Sequence, residues 1–243
     1  MNNYRKNIES LIDSNKWVKS TEKGSAAVGL TLESLLGKEK ENFEIPDYHG
    51  IEIKCKYSTR ESYINLFNAA PDSYLFEIKR LVNSYGYPSK DLPEYKVLNI
   101  GILGNRKTKL PSGYYFKLSV NWKTEQVILN VYNQNQVLID SDCAWSFSML
   151  KEKIERKLSM LAFIKAERKW NETEKAVYFK YNEVNFYKLK SFERFISLLE
   201  MGKIRIMFKI GIYKTGPKKG NIYDHGTSFA IKDYNLKDLF IRL

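Results

Sequence analysis

The stretch at residues 46–56, PDYHGIEIKCK, most narrows what this chain can fold into. Turn-favouring residues at its start lead into an alternating segment, and successive side chains of a β-strand point to opposite faces. Glu52, Lys54 and Lys56 therefore share one face, and Ile51, Ile53 and Cys55 share the other. The apolar face predicts packing onto a core. The opposite face then presents a carboxylate and an ammonium side by side in the open.

Asp47 stands just before this strand and can fold back to the same edge of the sheet. Two carboxylates and a lysine at one sheet edge are the groups that a magnesium-dependent phosphodiesterase needs. Taken alone, a Glu-x-Lys pair more often marks an exposed strand, where a solvated cross-strand charge pair contributes about 0.2–1 kcal/mol. The rest of the chain has to decide between these two interpretations.

The 40 Lys and Arg residues outnumber the 28 Asp and Glu residues, which gives a formal net charge of +12. Such an excess favours a polyanionic partner, with duplex nucleic acid ahead of an anionic membrane surface. The alternative is a composition that is merely rich in lysine. The basic residues are spread along the chain, which indicates a folded basic surface. No apolar run approaches the ~18 residues of a membrane span, and the polar N-terminus is not a signal peptide.

Two cysteines, Cys55 and Cys143, and two histidines, His49 and His225, limit the metal chemistry. The cysteines fit a reduced, cytoplasmic protein and are too few for a metal cage of thiolates. A zinc hydrolase site is also disfavoured, because such sites draw on several histidines.

Hydrophobic periodicity predicts a mixture of helices and strands, and thus an α+β chain. Helices are predicted over residues 3–14, 73–84, 146–169 and 192–201, with a further helix that ends at Gly37. Strands are predicted over residues 97–103, 114–122, 126–132, 136–139, 176–181, 184–189 and 204–213, with a short amphipathic element over 61–69. The basic run Lys151, Lys153, Arg156 and Lys157 on the longest predicted helix is typical of a solvated face.

The segment at residues 214–229 is the second informative stretch, a glycine-punctuated loop with three lysines. Such a loop can lie against phosphates. Asp224 can accept a hydrogen bond from cytosine N4, and His225 can bond to guanine. An ordinary hairpin loop held by hydrogen bonding between Asp224 and His225 explains the same spacing, so both interpretations stay open.

The order of several short motifs resembles the MvaI/BcnI family of type II restriction endonucleases. The motifs are Gly24, Val28-Gly29, Thr31-Leu32-Glu33-Ser34-Leu35-Leu36-Gly37, Pro46-Asp47, Glu52-Ile53-Lys54 and Leu66-Phe67. The strand at 203–213, the sequence DHGTSF at 224–229 and a closing Leu-Phe helix also look like the C-terminal part of that family. This family is related to the nicking enzyme MutH within the PD-(D/E)xK nucleases. The resemblance covers both ends of the chain, whereas residues 95–200 carry no matching motif.

The resemblance implies a restriction-endonuclease-like PD-(D/E)xK fold. Its core is a mixed β-sheet flanked by helices, and a β-rich and helical DNA-recognition lobe is added to it. We therefore expect a catalytic lobe at residues 1–94. A central meander and long helix would form a second lobe at 95–202, and residues 203–243 would contribute to DNA recognition.

The resemblance also implies roles for individual residues. Asp47 and Glu52 would be Mg²⁺ ligands, with the backbone carbonyl of Ile53 as a further one. Lys54 would orient the attacking water and help to deprotonate it, and Glu33 would be an accessory carboxylate. The residues assigned to DNA binding are Arg205, Lys214, Lys218, Lys219, Asp224 and His225.

The predicted function is that of a Mg²⁺-dependent endodeoxyribonuclease, a monomer that cuts double-stranded DNA at a short CC-x-GG-like site. A cognate DNA methyltransferase that acts on the same site is expected to accompany it. One alternative is a MutH-like repair endonuclease that nicks a single strand. Another is a catalytically silent DNA-binding protein on the same scaffold. A membrane-surface protein is disfavoured, since no predicted helix combines a basic face with a wide, exposed apolar one.

Overall fold

The computed structural model of the chain describes residues 2–24, 26–37, 48–57, 63–72 and 74–243. Its helices are α1 Asn2–Asp13, α2 Ala27–Leu35, α3 Tyr74–Tyr85, α4 Phe147–Leu158, α5 Phe192–Glu200 and α6 Leu236–Leu239, with a 3₁₀ turn at Asp233–Asn235. Its strands are β1 Val18–Lys19, β2 Glu52–Tyr57, β3 Tyr63–Asn68, β4 Tyr87–Pro88, β5 Lys96–Ile102, β6 Thr108–Lys109, β7 Tyr115–Asn121, β8 Gln126–Tyr132, β9 Leu138–Asp140, β10 Ala144–Ser146, β11 Met160–Asn171, β12 Ala176–Leu189, β13 Ile204–Ile212, β14 Ile222–Asp224, β15 Ser228–Lys232 and β16 Phe240–Arg242. None of the helices in these ranges is long and apolar enough to cross a membrane.

The chain divides into two compact units, and each is built from segments far apart in sequence. The first comprises Met1–Ile64, Ile154–Lys190 and Lys237–Leu243, and the second comprises Asn65–Lys153 and Ser191–Leu236. These packing boundaries do not coincide with the lobe boundaries expected at 94/95 and 202/203. The expected division into a catalytic lobe, a lobe of central meander and long helix, and a segment for DNA recognition stays a prediction.

The first unit contains a mixed sheet with strand order β1-β12-β11-β2, and β16 also pairs with β12. β2 runs parallel to β11, so that Glu52 lies opposite Leu161 and Tyr57 lies opposite Ala166. β11 and β12 form a long antiparallel hairpin, with an irregularity between Lys165 and Ala166. The core of this unit buries apolar side chains from α1, α2 and the sheet: Ile8, Ile12, Ala27, Val28, Leu32, Ile51, Ile53, Ala162, Ile164, Ala166, Phe179, Tyr181 and Phe186.

The second unit contains two sheets, β10-β8-β7-β6 with β9 beside β8, and β3-β15-β13-β5-β4 with β14 beside β13. β13 alternates strictly between buried and half-buried residues, as its period of two predicts. Its isoleucine and phenylalanine side chains face the core, while Arg205, Met207 and Lys209 face the other way. The indole N–H of Trp145, buried in the same core, donates to the Ala69 carbonyl at 3.1 Å.

A buried polar network also stabilises the second unit. The Asp140 carboxylate accepts a hydrogen bond from the Tyr85 hydroxyl at 2.6 Å and another from Arg80. Arg80 also donates to Glu77 at 2.7 Å. Burial alone would raise the pKa of Asp140, but the bonds from Arg80, Asp142 and Tyr85 outweigh it and hold that pKa below its usual value.

The predicted α+β fold with a mixed sheet is confirmed, and one predicted element is wrong. The helix expected over 146–169 ends at Leu158, and β11 replaces its second half. Residues 160–166 are nearly all apolar because β11 is a central strand that is covered on both faces. A short continuous apolar run does not distinguish a buried helix from a buried strand. The strands expected at 176–181 and 184–189 form one strand, β12, and β3 is a strand within the element expected at 61–69.

Candidate functional site

The carboxylate of Glu52, near the start of β2, is surrounded by positive charge. Lys54 Nζ lies 2.5 Å from Glu52 Oε1, and Lys157 Nζ lies 3.6 Å from the same oxygen. The Glu52 side chain is 0% exposed, against 22% for Lys54 and 27% for Lys157. The expectation that Glu52 lies on an open face is therefore wrong. The end of α4 brings Lys157 onto the same carboxylate, and ions in such a place are screened little by water.

The turn that precedes β2 is closed by two backbone hydrogen bonds of 2.9 Å between Tyr48 and Ile51. Its central residues, His49 and Gly50, have φ values of 47° and 87°, the combination found in tight hairpin turns. Asp47 lies immediately before this turn and outside the described residues, so its predicted role as a metal ligand stays a prediction.

Helix α1 contacts this turn through aromatic rings. Tyr4 stacks on His49 with ring centroids 3.8 Å apart and planes inclined by 11°, and it meets Tyr48 edge-on at 5.5 Å. The amide of Asn7 donates to the Tyr48 hydroxyl at 3.2 Å. His49 has no role predicted from the sequence, and in the structure its ring is the surface on which Tyr4 of α1 stacks.

Glu33, the predicted accessory carboxylate, is half-buried on α2, which packs against β2. The buried face of α2 carries Ala27, Val28, Thr31 and Leu32. Tyr181 of β12 donates its hydroxyl to the Val28 carbonyl at 2.8 Å, which ties the helix to the sheet. The role of Glu33 stays a prediction.

The oxygen atoms at the start of β2 fit a hard divalent cation. The Glu52 carboxylate and the Ile53 carbonyl are the kind of ligand that Mg²⁺ prefers, and a carboxylate with no exposed surface gains most from a positive partner. Within the described ranges no group of three His, Cys, Asp or Glu side chains is placed to hold a metal ion. The third predicted metal ligand is Asp47, which lies outside the described residues.

Arg205 and Lys209 form a basic patch on the outward face of β13 in the second unit. The Arg205 side chain passes so close to Gly101 of β5 that a Cβ added there would lie 3.3 Å from Arg205 Cδ. Burial and the positive charge of Arg205 lower the pKa of Lys209, and Asp224 partly opposes them. The three charged groups are thus neighbours.

Asp224 and His225 stand where β14 leads into β15. Asp224 Oδ1 accepts a hydrogen bond of 2.8 Å from the backbone N–H of Gly226, and the N–H of His225 donates to the Lys209 carbonyl at 3.1 Å. The His225 ring meets the Tyr223 ring edge-on at 4.4 Å. The Gly226 N–H therefore holds the turn by donating to Asp224, whereas the hairpin alternative assumes a bond between Asp224 and His225.

The lysines of the 214–220 loop are exposed. Lys214 pairs with Asp91 at 2.6 Å, and Lys218 Nζ lies 5.6 Å from the centre of the Tyr213 ring. Gly220 has a φ of 82° and lies close against the Tyr95 ring. A Cβ added at this position would lie 2.3 Å from a Tyr95 ring carbon, so the close approach requires glycine. The structure thus fixes the base of the loop and leaves Lys218 and Lys219 in solvent.

Sequence reasoning missed Lys157 and Lys209. Lys157 belongs to a basic run whose pattern is typical of a solvated face, and its contact with Glu52 depends on the helix ending at Leu158. Lys209 alternates with buried residues as Arg205 does, so the strand pattern could have identified it.

Comparison with known proteins adds the decisive observation. The model of the MvaI/BcnI restriction endonuclease family matches residues 8–240, nearly the whole chain. The chain belongs to this family. It is therefore a type II restriction endonuclease, a site-specific enzyme that binds and cuts DNA. Restriction endonucleases generally use a divalent metal ion.

Two solved structures of the restriction endonuclease MvaI resemble this chain. The complex of MvaI with its cognate DNA substrate shares 32% sequence identity and gives a TM-score of 0.88, and MvaI without DNA gives 0.66 at the same identity. Each match covers 100% of this chain and 96% of the MvaI chain. No curated protein sequence matches. The family and the fold expected from the sequence are both confirmed.

Proposed function

We propose that this enzyme is a Mg²⁺-dependent monomer that cuts both strands of duplex DNA at a short CC-x-GG-like site. A methyltransferase that modifies the same site is expected to protect host DNA. The observation that carries the proposal is the buried Glu52 carboxylate with Lys54 Nζ at 2.5 Å, at the edge of a mixed sheet.

Asp47, Glu52 and the carbonyl of Ile53 are proposed to hold the metal ion. When bound, Mg²⁺ supplies a Lewis acid and a template for in-line displacement at phosphorus. The three groups are hard oxygen donors, and Glu52 and Ile53 are consecutive residues of one strand. The carboxylate and the carbonyl therefore keep a fixed spacing as the DNA enters.

Lys54 is proposed to orient the attacking water and to stabilise the negative charge that develops on the phosphate. Its side chain is partly exposed and lies on the same face as Glu52, so it can contact water and the carboxylate together. Glu33, half-buried on α2, is proposed as an accessory carboxylate. It would accept a hydrogen bond from the same water network.

DNA binding is assigned to basic and polar residues of the second unit: Arg205, Lys214, Lys218, Lys219, Asp224 and His225. The exposed lysines are suited to phosphates, and such contacts make affinity depend steeply on salt. Asp224, His225 and Arg205 offer the acceptor and donor groups that read cytosine and guanine edges. A site rich in G·C pairs fits this set.

The test compares cleavage with DNA binding in two variants and one matched control. Glu52→Ala and Lys54→Ala should abolish cleavage of unmethylated plasmid in MgCl₂ while they retain duplex binding in a gel-shift assay. Lys56→Ala, which removes the next lysine on the same strand, should still cut. Discrete fragments with one common end sequence, lost in EDTA, are expected from the wild type.

Other outcomes would redirect the assignment. Nicked circles without linear product would favour a MutH-like strand nicker. Salt-sensitive binding without any cleavage would point to a silent DNA-binding protein. Full cleavage by either Glu52→Ala or Lys54→Ala would refute the proposed site.

A further inference from the structure

We propose that Lys157 is a positioning residue of the nuclease site that acts through Glu52. It shares the Glu52 carboxylate with Lys54, and by doing so it weakens divalent-metal binding and leaves Lys54 available for the reaction. This inference rests on the proposed function, because it takes Glu52 to be a metal ligand.

The geometry places two ammonium groups on one oxygen. Lys54 Nζ lies 2.5 Å and Lys157 Nζ 3.6 Å from Glu52 Oε1. One carboxylate with no exposed surface thus stands between two cations that are each about three-quarters buried. The three groups together carry one net positive charge. Because the place is largely dry, the charges act on one another strongly.

The chain topology explains why a residue so distant in sequence reaches this carboxylate. Lys157 lies in the last turn of α4, and β11 begins three residues later at Met160. β11 runs parallel to β2, with Leu161 opposite Glu52, so both strands begin at the same end of the sheet. A helix that ends beside the start of β11 therefore delivers its last lysine to the start of β2.

A divalent cation that binds Glu52 has to share the site with both ammonium groups. Each nearby positive charge repels the metal ion, and Lys157 also engages an oxygen that the ion would use. Removal of this charge should tighten metal binding by about tenfold, equal to ~1.4 kcal/mol. We expect the rate at saturating metal to fall, because Lys54 is then the one of these two lysines that remains beside the Glu52 oxygen, and a Lys54 held more tightly there contacts the attacking water less.

Opposite changes in affinity and rate distinguish this role from a structural one. A variant that merely loosens the site loses both metal affinity and rate. A variant that lacks only the Lys157 charge gains metal affinity and loses cleavage rate.

The experiment uses Lys157→Met in the full-length enzyme, with Arg156→Met as the matched control. Arg156 lies in the same helical turn, is exposed and carries the same charge. Mn²⁺ is the metal probe, and its binding to the protein without DNA is followed by electron paramagnetic resonance. Single-turnover cleavage is measured at saturating MgCl₂. Thermal unfolding of each variant is recorded without metal.

Lys157→Met should bind Mn²⁺ about tenfold more tightly and cleave about tenfold more slowly than the wild type. Lys157→Arg should restore both values to within about threefold, since it keeps the charge. Arg156→Met should match the wild type in both. If the methionine variant melts below the assay temperature, Lys157→Gln takes its place with the same expectation.

Two results would overturn the inference while the proposed function stands. One is a Lys157→Met enzyme with wild-type metal affinity and rate, and the other is a parallel loss of both. If the wild type itself neither binds Mn²⁺ nor cleaves DNA, the proposed function fails and the inference fails with it.

Discussion

Replacing Tyr4 with alanine tests whether α1 fixes the turn that precedes β2, the strand that carries the proposed catalytic residues. Tyr4 stacks on His49 at 3.8 Å and meets Tyr48 edge-on at 5.5 Å. Aromatic contacts of this kind contribute about 0.5–1.5 kcal/mol each beyond buried area, so the two together stabilise the turn by ~1–3 kcal/mol. The turn lies between Asp47 and Glu52, so its order sets their spacing.

The expected effects follow from that free energy. Loss of both contacts should lower the melting temperature by about 2–12 °C, at about 2–4 °C per kcal/mol for a chain of this size. If the loss falls mainly on the turn, the equilibrium constant for its ordering should drop by about tenfold, since ~1.4 kcal/mol corresponds to one factor of ten. Single-turnover cleavage at saturating Mg²⁺ would fall by up to the same factor, because only enzyme with an ordered turn is competent.

The matched control is Tyr4→Phe, which keeps the ring and removes only the hydroxyl. It should unfold and cleave like the wild type, because both contacts are made by the ring. Duplex binding in EDTA should be unchanged in either variant. A Tyr4→Ala enzyme that melts early yet cleaves at the wild-type rate would refute the reasoning, since the turn would then need no support from α1.

Three further predictions concern the second unit. Gly101→Ala should displace Arg205 and weaken duplex binding by about threefold to tenfold in an anisotropy titration, which corresponds to ~1 kcal/mol. Gly211→Ala is the control and should bind DNA normally, because its added Cβ would meet nothing closer than 4.0 Å. Lys209 lies on the same face of β13 as Arg205, so its positive charge should add to DNA affinity at neutral pH. Because burial lowers the pKa of Lys209, that contribution should fade as pH rises through the lowered pKa, and the affinities of the wild type and Lys209→Ala should converge at a lower pH than for a lysine of ordinary pKa. Asp140→Asn should destabilise the unit by about 3 kcal/mol at pH 7 in a urea titration, because it breaks a buried charged network. The lowered pKa of Asp140 places that stability above pH ~4, and the difference from the wild type should vanish as pH falls through the folded-state pKa.

Much of the fold could be predicted because its periodic elements are amphipathic. The buried and half-buried residues of β13 alternate as the sequence predicts, and α1 and α5 carry clear apolar faces. β11 could not be predicted in the same way. Its buried half is apolar on both faces, which removes the alternation that marks a strand and leaves a pattern that continues the preceding helix.

The candidate site could also be predicted only in part. The pairing of Glu52 with Lys54 follows from their spacing on one strand, and local spacing is visible in a sequence. The burial of Glu52 and the approach of Lys157 depend on a parallel pairing between distant segments. Such pairing leaves no local signature, since either strand alone is compatible with many partners. The contact between Tyr4 and His49 is hidden for the same reason.

The parallel pairing of β2 with β11 also has a consequence for how the enzyme is made. β2 is complete at Tyr57, but its partner strand begins only at Met160. At about 5–20 residues per second, a ribosome needs ~5–20 s to extend the chain between these points. Throughout that interval the nascent chain carries Glu52 and Lys54 without the strand and the helix that enclose them. The proposed nuclease centre therefore assembles late in synthesis, and an incomplete chain that is released early should be harmless to the DNA of the cell that made it.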